Sequence, residues 1–127
     1  MQITKFEDID SWKEARLLVT IIYELRINED FNRDYSLKDQ ITRAAVSIMS
    51  NIAEGFDSGT SKSFIRFLNI AYGSASEVQS LLYILVDRTY ITQRKFEEIY
   101  GRIGKIKNLI GAFIKYLNSK KTPKTKN

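Results

Sequence analysis

The sequence predicts an all-α protein, an antiparallel up-down-up-down four-helix bundle. Four segments carry apolar residues at intervals of three and four, and short polar segments separate them. The only proline is Pro123, so no proline interrupts a helix in the first 122 residues. With 127 residues, 43% of them hydrophobic, the chain has the size of one domain with one core. We therefore predict a bundle domain over residues 1–118.

The first predicted helix begins at Asp10, whose carboxylate can cap its N-terminus, and ends near Asn28. Its apolar stripe is Trp12, Ala15, Val19, Ile22 and Leu25. Three more apolar residues widen the stripe beyond about 100°, which predicts cover on more than one side; they are Leu17, Leu18 and Ile21. In the polar connection that follows, Phe31 and Tyr35 are expected to fold back onto the end of the bundle.

The second predicted helix begins after Ser36, whose hydroxyl can cap it. Its apolar stripe is Leu37, Ile41, Ala44, Ala45, Ile48, Ile52 and Phe56. Gly55 and Gly59 lie at the end of this stripe, where helices commonly stop. We therefore expect both glycines to serve the turn that leads into the third helix.

The third and fourth predicted helices carry the most regular patterns. The third begins at Thr60 or Ser61 and buries Phe64, Phe67, Leu68, Ala71, Ala75, Val78, Leu82 and Leu85. The chain turns at residues 88–90, and Thr92 is expected to cap the fourth helix. That helix has a heptad seam through Phe96, Ile99, Ile103, Ile106, Ile110, Phe113 and Leu117. It is therefore expected to pack along its whole length.

Residue types that the chain lacks exclude several classes of chemistry. With no Cys and no His, the protein has no thiolate nucleophile, no disulfide and neither the commonest general base nor the commonest metal ligand. No stretch approaches the ~20 apolar residues of a membrane span, and the first residues lack the apolar run of a signal peptide. We therefore expect a cytoplasmic protein without enzymatic activity, metal, cofactor or membrane partner.

Charge is distributed unevenly along the chain. Residues 102–127 contain eight Lys or Arg and no acid, whereas residues 1–101 contain twelve Lys or Arg and all 15 acids. A terminus of one sign attracts polyanions such as nucleic acid, although a solubilising tail has the same composition. Residues 119–127 contain no apolar side chain and are predicted to form a basic disordered tail.

The candidate nucleic-acid-binding residues follow from this asymmetry. Cations that neutralise phosphates give an affinity that depends on salt and not on sequence. Tyr90, Tyr100 and Tyr116 lie among these cations and can stack on bases, although they can equally lie at the solvent-exposed margin of the hydrophobic core. The candidate cations are Arg94, Lys95, Arg102, Lys105, Lys107, Lys115, Lys120 and Lys121, and the tail adds Lys124 and Lys126.

A row of polar residues borders the stripe of the second helix, at Gln40, Arg43, Ser47, Asn51 and Glu54. A similar row on the third helix is Arg66, Asn69, Gly73, Glu77 and Ser80. We predict that Arg43, Asn51, Glu54 and Glu77 form a structural polar network that fixes helix register. Removing one partner of such a partly buried network would cost about 2–4 kcal/mol. The alternative is a carboxylate metal centre, against which the absence of His argues.

Three glycines recur on one face of the fourth helix, beside its seam: Gly101, Gly104 and Gly111, with Asn108 between them. A glycine in a helix interior costs roughly 1 kcal/mol relative to alanine. This face is therefore expected to be approached closely by another helix. That helix belongs either to the same bundle or to a neighbouring subunit.

The stretch from Gln40 to Leu81 resembles the family of four-helix bundles named after proteins encoded in intervening sequences of bacterial 23S ribosomal RNA genes. The shared segments are QI at 40–41, RAAVSI at 43–48, SNIAEG at 50–55, FIRFL at 64–68 and AYGS at 71–74. Residues 6–8 and Trp12 resemble the family's start, and the helix order matches over nearly all of residues 6–117. The chain departs from the family pattern at Thr42, where a second arginine is common, and at Met49, where a proline is usual.

The resemblance implies an antiparallel four-helix bundle that assembles into a ring-like homopentamer. In relatives associated with retroelements it implies a basic, nucleic-acid-binding accessory protein that works with a reverse transcriptase, and it does not imply catalysis. We therefore expect a homo-oligomer, with a pentamer favoured by the resemblance. Apolar residues beyond those that one bundle core needs support this expectation; they are Leu17, Leu18, Ile21, Tyr72 and Ile114.

The expected function is that of a non-enzymatic oligomeric binding module. Its partner would be RNA, a DNA/RNA hybrid, or a protein that handles them, such as a reverse transcriptase. The alternative is a purely structural homo-oligomeric assembly protein whose charges only keep it in solution.

Overall fold

The computed structural model describes residues 3–121, and within them the backbone forms helices and turns without a strand. The four long helices are α1 (Asp10–Glu24), α3 (Tyr35–Asp57), α4 (Ser61–Asp87) and α5 (Gln93–Lys121). A short helix, α2 (Glu29–Arg33), lies in the first connection, and 3-10 turns at Phe6–Asp8 and Leu25–Ile27 flank α1. The predicted all-α four-helix bundle is confirmed. No helix among the described residues is long and apolar enough to cross a bilayer.

One continuous core of aliphatic and aromatic side chains runs along the bundle. The stripes predicted for α3, α4 and α5 lie in it, except for Phe67, which is only half-buried, and Phe56 and Phe113 are half-buried at its margin. A seam repeating every three and four residues keeps one side of a helix turned inward, which is why the sequence alone identifies these positions.

The buried face of α1 is centred differently from the prediction. Leu18 is fully buried at its centre, whereas Val19 lies at its edge. Leu18 is therefore a core residue and no longer counts among the surplus apolar side chains. Of the others, Ile21 and Ile114 are half-buried, and Leu17 and Tyr72 remain exposed.

Side chains cap three of the four long helices. Thr60 accepts a hydrogen bond from the amide of Ser63 at 3.1 Å, and Thr92 accepts one from Lys95 at 3.0 Å, as the sequence predicts. At α3 the cap is Asp34, not the predicted Ser36, and it accepts from the Leu37 amide at 3.4 Å. At α1 the predicted cap Asp10 is already the first helical residue, and the N-cap position is occupied by buried Ile9, whose side chain cannot accept a hydrogen bond.

Hydrogen bonds join the connection between α1 and α3 to the turn between α4 and α5. Phe31 is buried there, as predicted, but Tyr35 is 66% exposed. Tyr35 begins α3 on the solvent side, where its ring lies 4.8 Å from the Lys38 ammonium. Asn28 donates a hydrogen bond to the Tyr90 carbonyl at 3.2 Å, and the Tyr90 hydroxyl donates to Asp34 at 2.8 Å.

Helices α3 and α4 approach each other most closely at Gly55. A Cβ added there would lie 2.8 Å from both Phe64 Cδ1 and Phe67 Cβ. Further back along α3, the Ser47 hydroxyl meets that of Ser74 at 2.9 Å, so the two helices run antiparallel. Gly55 is therefore a packing residue inside α3 and not the predicted turn residue. Gly59, with φ of 95°, does serve the turn.

The polar contact between α3 and α4 uses different residues from those predicted. Asn51 donates to the carbonyl and hydroxyl oxygens of Ser47 at 2.8 and 3.0 Å, next to the hydroxyl of Ser74. Among the described residues, Arg43, Glu54 and Glu77 are exposed and make no hydrogen bond or ion pair. The structure does not bring the four predicted residues together, because these three side chains point away from the helix contact into solvent.

Replacing Asn51 by alanine is expected to lower the free energy of unfolding by about 1 kcal/mol, since the hydroxyl of half-buried Ser47 loses a donor. Glu54→Ala should change it by less than about 0.5 kcal/mol, because the exposed carboxylate has no partner to lose. Urea unfolding followed by circular dichroism measures both values. Equal shifts in the two variants would contradict this description of the helix contact.

Helix α5 extends beyond the predicted bundle boundary at residue 118. Residues 119–121 continue the helix as far as Lys121, so the first part of the predicted disordered tail is helical. The remaining tail, residues 122–127, lies outside the described residues, as do Lys124 and Lys126 and the side chain of Lys121.

Candidate nucleic-acid interface

The predicted nucleic-acid-binding residues with described side chains all lie on α5. Five of them are exposed: Arg94, Arg102, Lys105, Lys115 and Lys120. At about 100° per residue, these five fall within an arc of about 140° around the helix. Arg102 and Lys120 stand on the same side, five turns or about 27 Å apart. Beyond Glu98 the helix contains no acid.

Carboxylates neutralise two of the predicted cations. Lys105 Nζ lies 3.3 Å from Glu14 Oε2 on α1, and Lys95 Nζ lies 3.7 Å from Glu98 Oε1 one turn along α5. Exposed pairs of this kind contribute at most about 1 kcal/mol, so a phosphate can displace either carboxylate.

Four exposed cations of α5 have no carboxylate partner among the described residues, and one of them, Lys120, lies against the Tyr116 ring. Arg94, Arg102 and Lys115 make no hydrogen bond or ion pair with any residue between 3 and 121. Their charged groups are hydrated and can contact a phosphate without first breaking an intramolecular pair. They are therefore the cations of α5 best suited to binding a polyanion.

Lys107 is half-buried and bonded within the chain, so it does not belong to this exposed set. Its ammonium donates to Gln79 Oε1 at 3.0 Å and lies 5.0 Å from the centre of the Tyr72 ring. The amide of Gln79 also donates to the Tyr100 carbonyl at 3.4 Å, so this buried glutamine links α4 to α5. Sequence reasoning missed Gln79, although its position directly after core residue Val78 and three before Leu82 marks it as inward-facing.

The three tyrosines near the cations have different roles. Tyr90 is tied to Asp34, and Tyr100 packs against Phe96 and Tyr83 with ring centroids 5.4 and 6.0 Å apart. A hydrogen bond with Tyr100 raises the pKa of the Tyr83 phenol above its ordinary value. Tyr116 is exposed, and the Lys120 ammonium lies 5.5 Å from the centre of its ring. A base can stack on this ring while Lys120 contacts the neighbouring phosphate.

The glycine face of α5 is open. A Cβ added at Gly101, Gly104 or Gly111 would have no atom of another described segment within 4 Å. No helix of the same bundle therefore approaches this face, which removes one of the two explanations for its glycines. Three exposed aromatic side chains flank the face on α4 and α5, namely Tyr72, Tyr83 and Tyr100.

No group of three acidic side chains within residues 3–121 is arranged so that it could hold a metal ion.

The structure places exposed cations, an exposed tyrosine and an open glycine face on one helix, α5. This arrangement can bind phosphates and pack against a second protein surface.

Comparison with known proteins identifies relatives of the chain. The family model described as "23S rRNA-intervening sequence protein" matches residues 7–112. A crystal structure from Bacteroides thetaiotaomicron, of a protein of unknown function from the S23 ribosomal protein family, is similar with a TM-score of 0.77 and 26% identity. The match covers 83% of this chain and 95% of that one. No curated protein matches significantly.

Proposed function

The chain belongs to the 23S rRNA-intervening sequence protein family, and from that premise we propose that it is a non-enzymatic, oligomeric module that binds nucleic acid through α5. The ligand is RNA or a DNA/RNA hybrid, and an enzyme that handles such nucleic acids, for example a reverse transcriptase, is the class of protein partner.

The observation that carries this proposal is the set of free cations. Arg94, Arg102 and Lys115 are exposed and unpaired among the described residues, and no acid follows Glu98 on α5. Three contacts in one chain give weak binding, but several copies on one particle engage several phosphate stretches together. Fluorescence titration of single-stranded and duplex RNA across a salt series tests the proposal.

The oligomeric part of the proposal rests on the open glycine face. Each helix-interior glycine lowers helix stability by roughly 1 kcal/mol, and no contact within the described chain compensates for Gly101, Gly104 or Gly111. A neighbouring subunit whose helix crosses this face at Gly101 and Gly104 would supply the compensation there, and it would leave Lys115, about 16 Å further along α5, free for a phosphate. We take the assembly to be a pentamer, as the family resemblance implies.

Replacing both Gly101 and Gly104 by alanine is expected to stabilise the folded chain but to weaken the oligomer. Each alanine should stabilise the isolated helix by roughly 0.5–1 kcal/mol, because nothing stands in the way of its Cβ. The same Cβ atoms should hold two subunits apart and weaken the oligomer. Light scattering over a dilution series, together with thermal unfolding, measures both effects. A variant that is more stable but has an unchanged mass would contradict this subunit contact.

A purely structural assembly protein is the second candidate function. The pairing of Lys105 with Glu14, and the internal bonding of Lys107 to Gln79, favour it because both reduce the cationic surface available to phosphates. Under that function the protein would be oligomeric but would leave RNA, DNA and their hybrid unbound at low salt.

A further inference from the structure

A cavity lies at one end of the bundle, where the start of α1 meets the last third of α5. Its volume is about 570 Å³, within the roughly 300–1,000 Å³ typical of small-molecule pockets. Most of its wall is apolar, formed by Ile3, Ile9, Leu109, Ala112, Phe113 and Tyr116. A molecule with an apolar body can therefore lose its contact with water there at a gain in free energy.

Ser11 gives this apolar cavity an unsatisfied polar group. The residue is only 2% exposed, and its hydroxyl has no hydrogen-bond partner among the described residues. Buried hydroxyls without a partner are rare in folded proteins and call for an explanation. Ser11 lies in the first turn of α1, a helix whose N-terminus no side chain caps. Oγ has less than 1 Å² of accessible surface, so a ligand with one hydrogen-bonding group would satisfy the hydroxyl once a change of the Ser11 χ1 rotamer turns Oγ into the cavity.

The charges around the cavity determine which ligand fits. Asp8, Asp10 and Lys13 line it, so the lining carries a net negative charge that disfavours a carboxylate or phosphate. A cation would be repelled by the positive end of the α1 dipole, and it would lose favourable hydration on entering a cavity with apolar walls. An uncharged group avoids both penalties.

We propose that this cavity binds a small uncharged molecule that has an apolar body and a terminal hydroxyl. The hydroxyl exchanges a hydrogen bond with Ser11 Oγ, and the apolar body lies between α1 and α5 against Leu109 and Phe113. Tyr116 belongs both to this cavity and to the proposed nucleic-acid surface, but none of Arg94, Arg102 and Lys115 lines the cavity, so a ligand can bind here whether or not those cations bind nucleic acid.

Three probes of equal chain length test the proposal: octan-1-ol, octanoate and octylammonium. Trp12, the only tryptophan, adjoins Ser11 in the chain and reports binding by its fluorescence. Octan-1-ol should bind saturably, one molecule per chain, at least tenfold more tightly than either charged probe. Absence of saturable binding, or equal affinity for the three probes, would overturn the proposal.

Two variants locate the site. Ser11→Ala should weaken octan-1-ol binding at least fivefold while raising the melting temperature of the free protein, because it removes the unpaired hydroxyl. Ala112→Phe, at an exposed position on the cavity wall, should fill the space and abolish binding. If Ala112→Phe binds octan-1-ol normally, the proposal is wrong. It is equally wrong if Ala112→Phe changes the oligomeric mass, because a second copy of the chain then covers the cavity.

Discussion

Reversing the charges of Arg102 and Lys115 to glutamate is expected to weaken RNA binding by at least about tenfold at roughly 50 mM salt. Both side chains are exposed on α5 and pair with no described residue, so the change removes phosphate contacts without breaking an internal bond. Every subunit of an assembly loses the same contacts, which multiplies the effect. Fluorescence anisotropy of a labelled single-stranded RNA measures the affinities.

A matched control separates the α5 surface from net charge alone. Arg43→Glu with Arg66→Glu also reverses two exposed arginines, on α3 and α4. Each pair of reversals lowers the net charge of the chain from +5 to +1. The control should retain most of the affinity. If both double variants lose affinity equally, binding follows total charge and the assignment to α5 fails.

Added salt should strongly weaken the binding of RNA by the wild-type protein. If about six phosphates are neutralised per assembly, counterion release predicts a loss of roughly 10³-fold in affinity between 50 and 200 mM salt. The double variant should show a shallower dependence, by about one unit of logarithmic slope for each lost contact. Deleting residues 122–127 removes Lys124 and Lys126 but leaves α5 whole, and it should reduce affinity less than the double reversal.

Gly55→Ala is expected to destabilise the fold by about 2 kcal/mol. The new Cβ would lie 2.8 Å from Phe67 Cβ, which is fixed to the α4 backbone and cannot rotate away. Helices α3 and α4 must therefore separate, and this cost exceeds the gain of roughly 1 kcal/mol from placing alanine in a helix.

Gly73→Ala provides the control for this prediction. Gly73 lies within α4, is exposed, and has nothing within 4 Å of an added Cβ. This variant should be slightly more stable than the wild type. Urea midpoints compare the two variants, and an equal or smaller loss for Gly55→Ala would show that the helices do not meet closely at Gly55.

The sequence predicts the helices of this protein well because their buried faces repeat at three and four residues. The seam from Phe96 to Leu117 and the cap at Thr92 depend only on local periodicity and on local hydrogen bonding. The role of Gly55 depends on how closely a second helix approaches it, which local patterns do not encode. A glycine near the end of a helix therefore resembles a turn residue in sequence even where it serves packing.

The candidate interface is less predictable for the same reason. Composition identifies the basic end of the chain, but it cannot separate free Arg102 from Lys105, which pairs with Glu14 at a separation of 91 residues. Nor does it show that Lys107 is bonded to Gln79 across two helices. The predicted network of Arg43, Asn51, Glu54 and Glu77 does not form among the described residues, because a polar row bordering a core can face either a neighbouring helix or water.

Sedimentation velocity with a fluorescently labelled RNA at roughly 50 mM salt tests the proposed function most directly, since it reports assembly and binding together. We expect the protein alone to sediment as a multiple of the 14.7 kDa chain, with five copies favoured, and the RNA to move with it. A particle of 14.7 kDa at all concentrations, with the RNA sedimenting as free nucleic acid at micromolar protein, would contradict the proposal in both its parts.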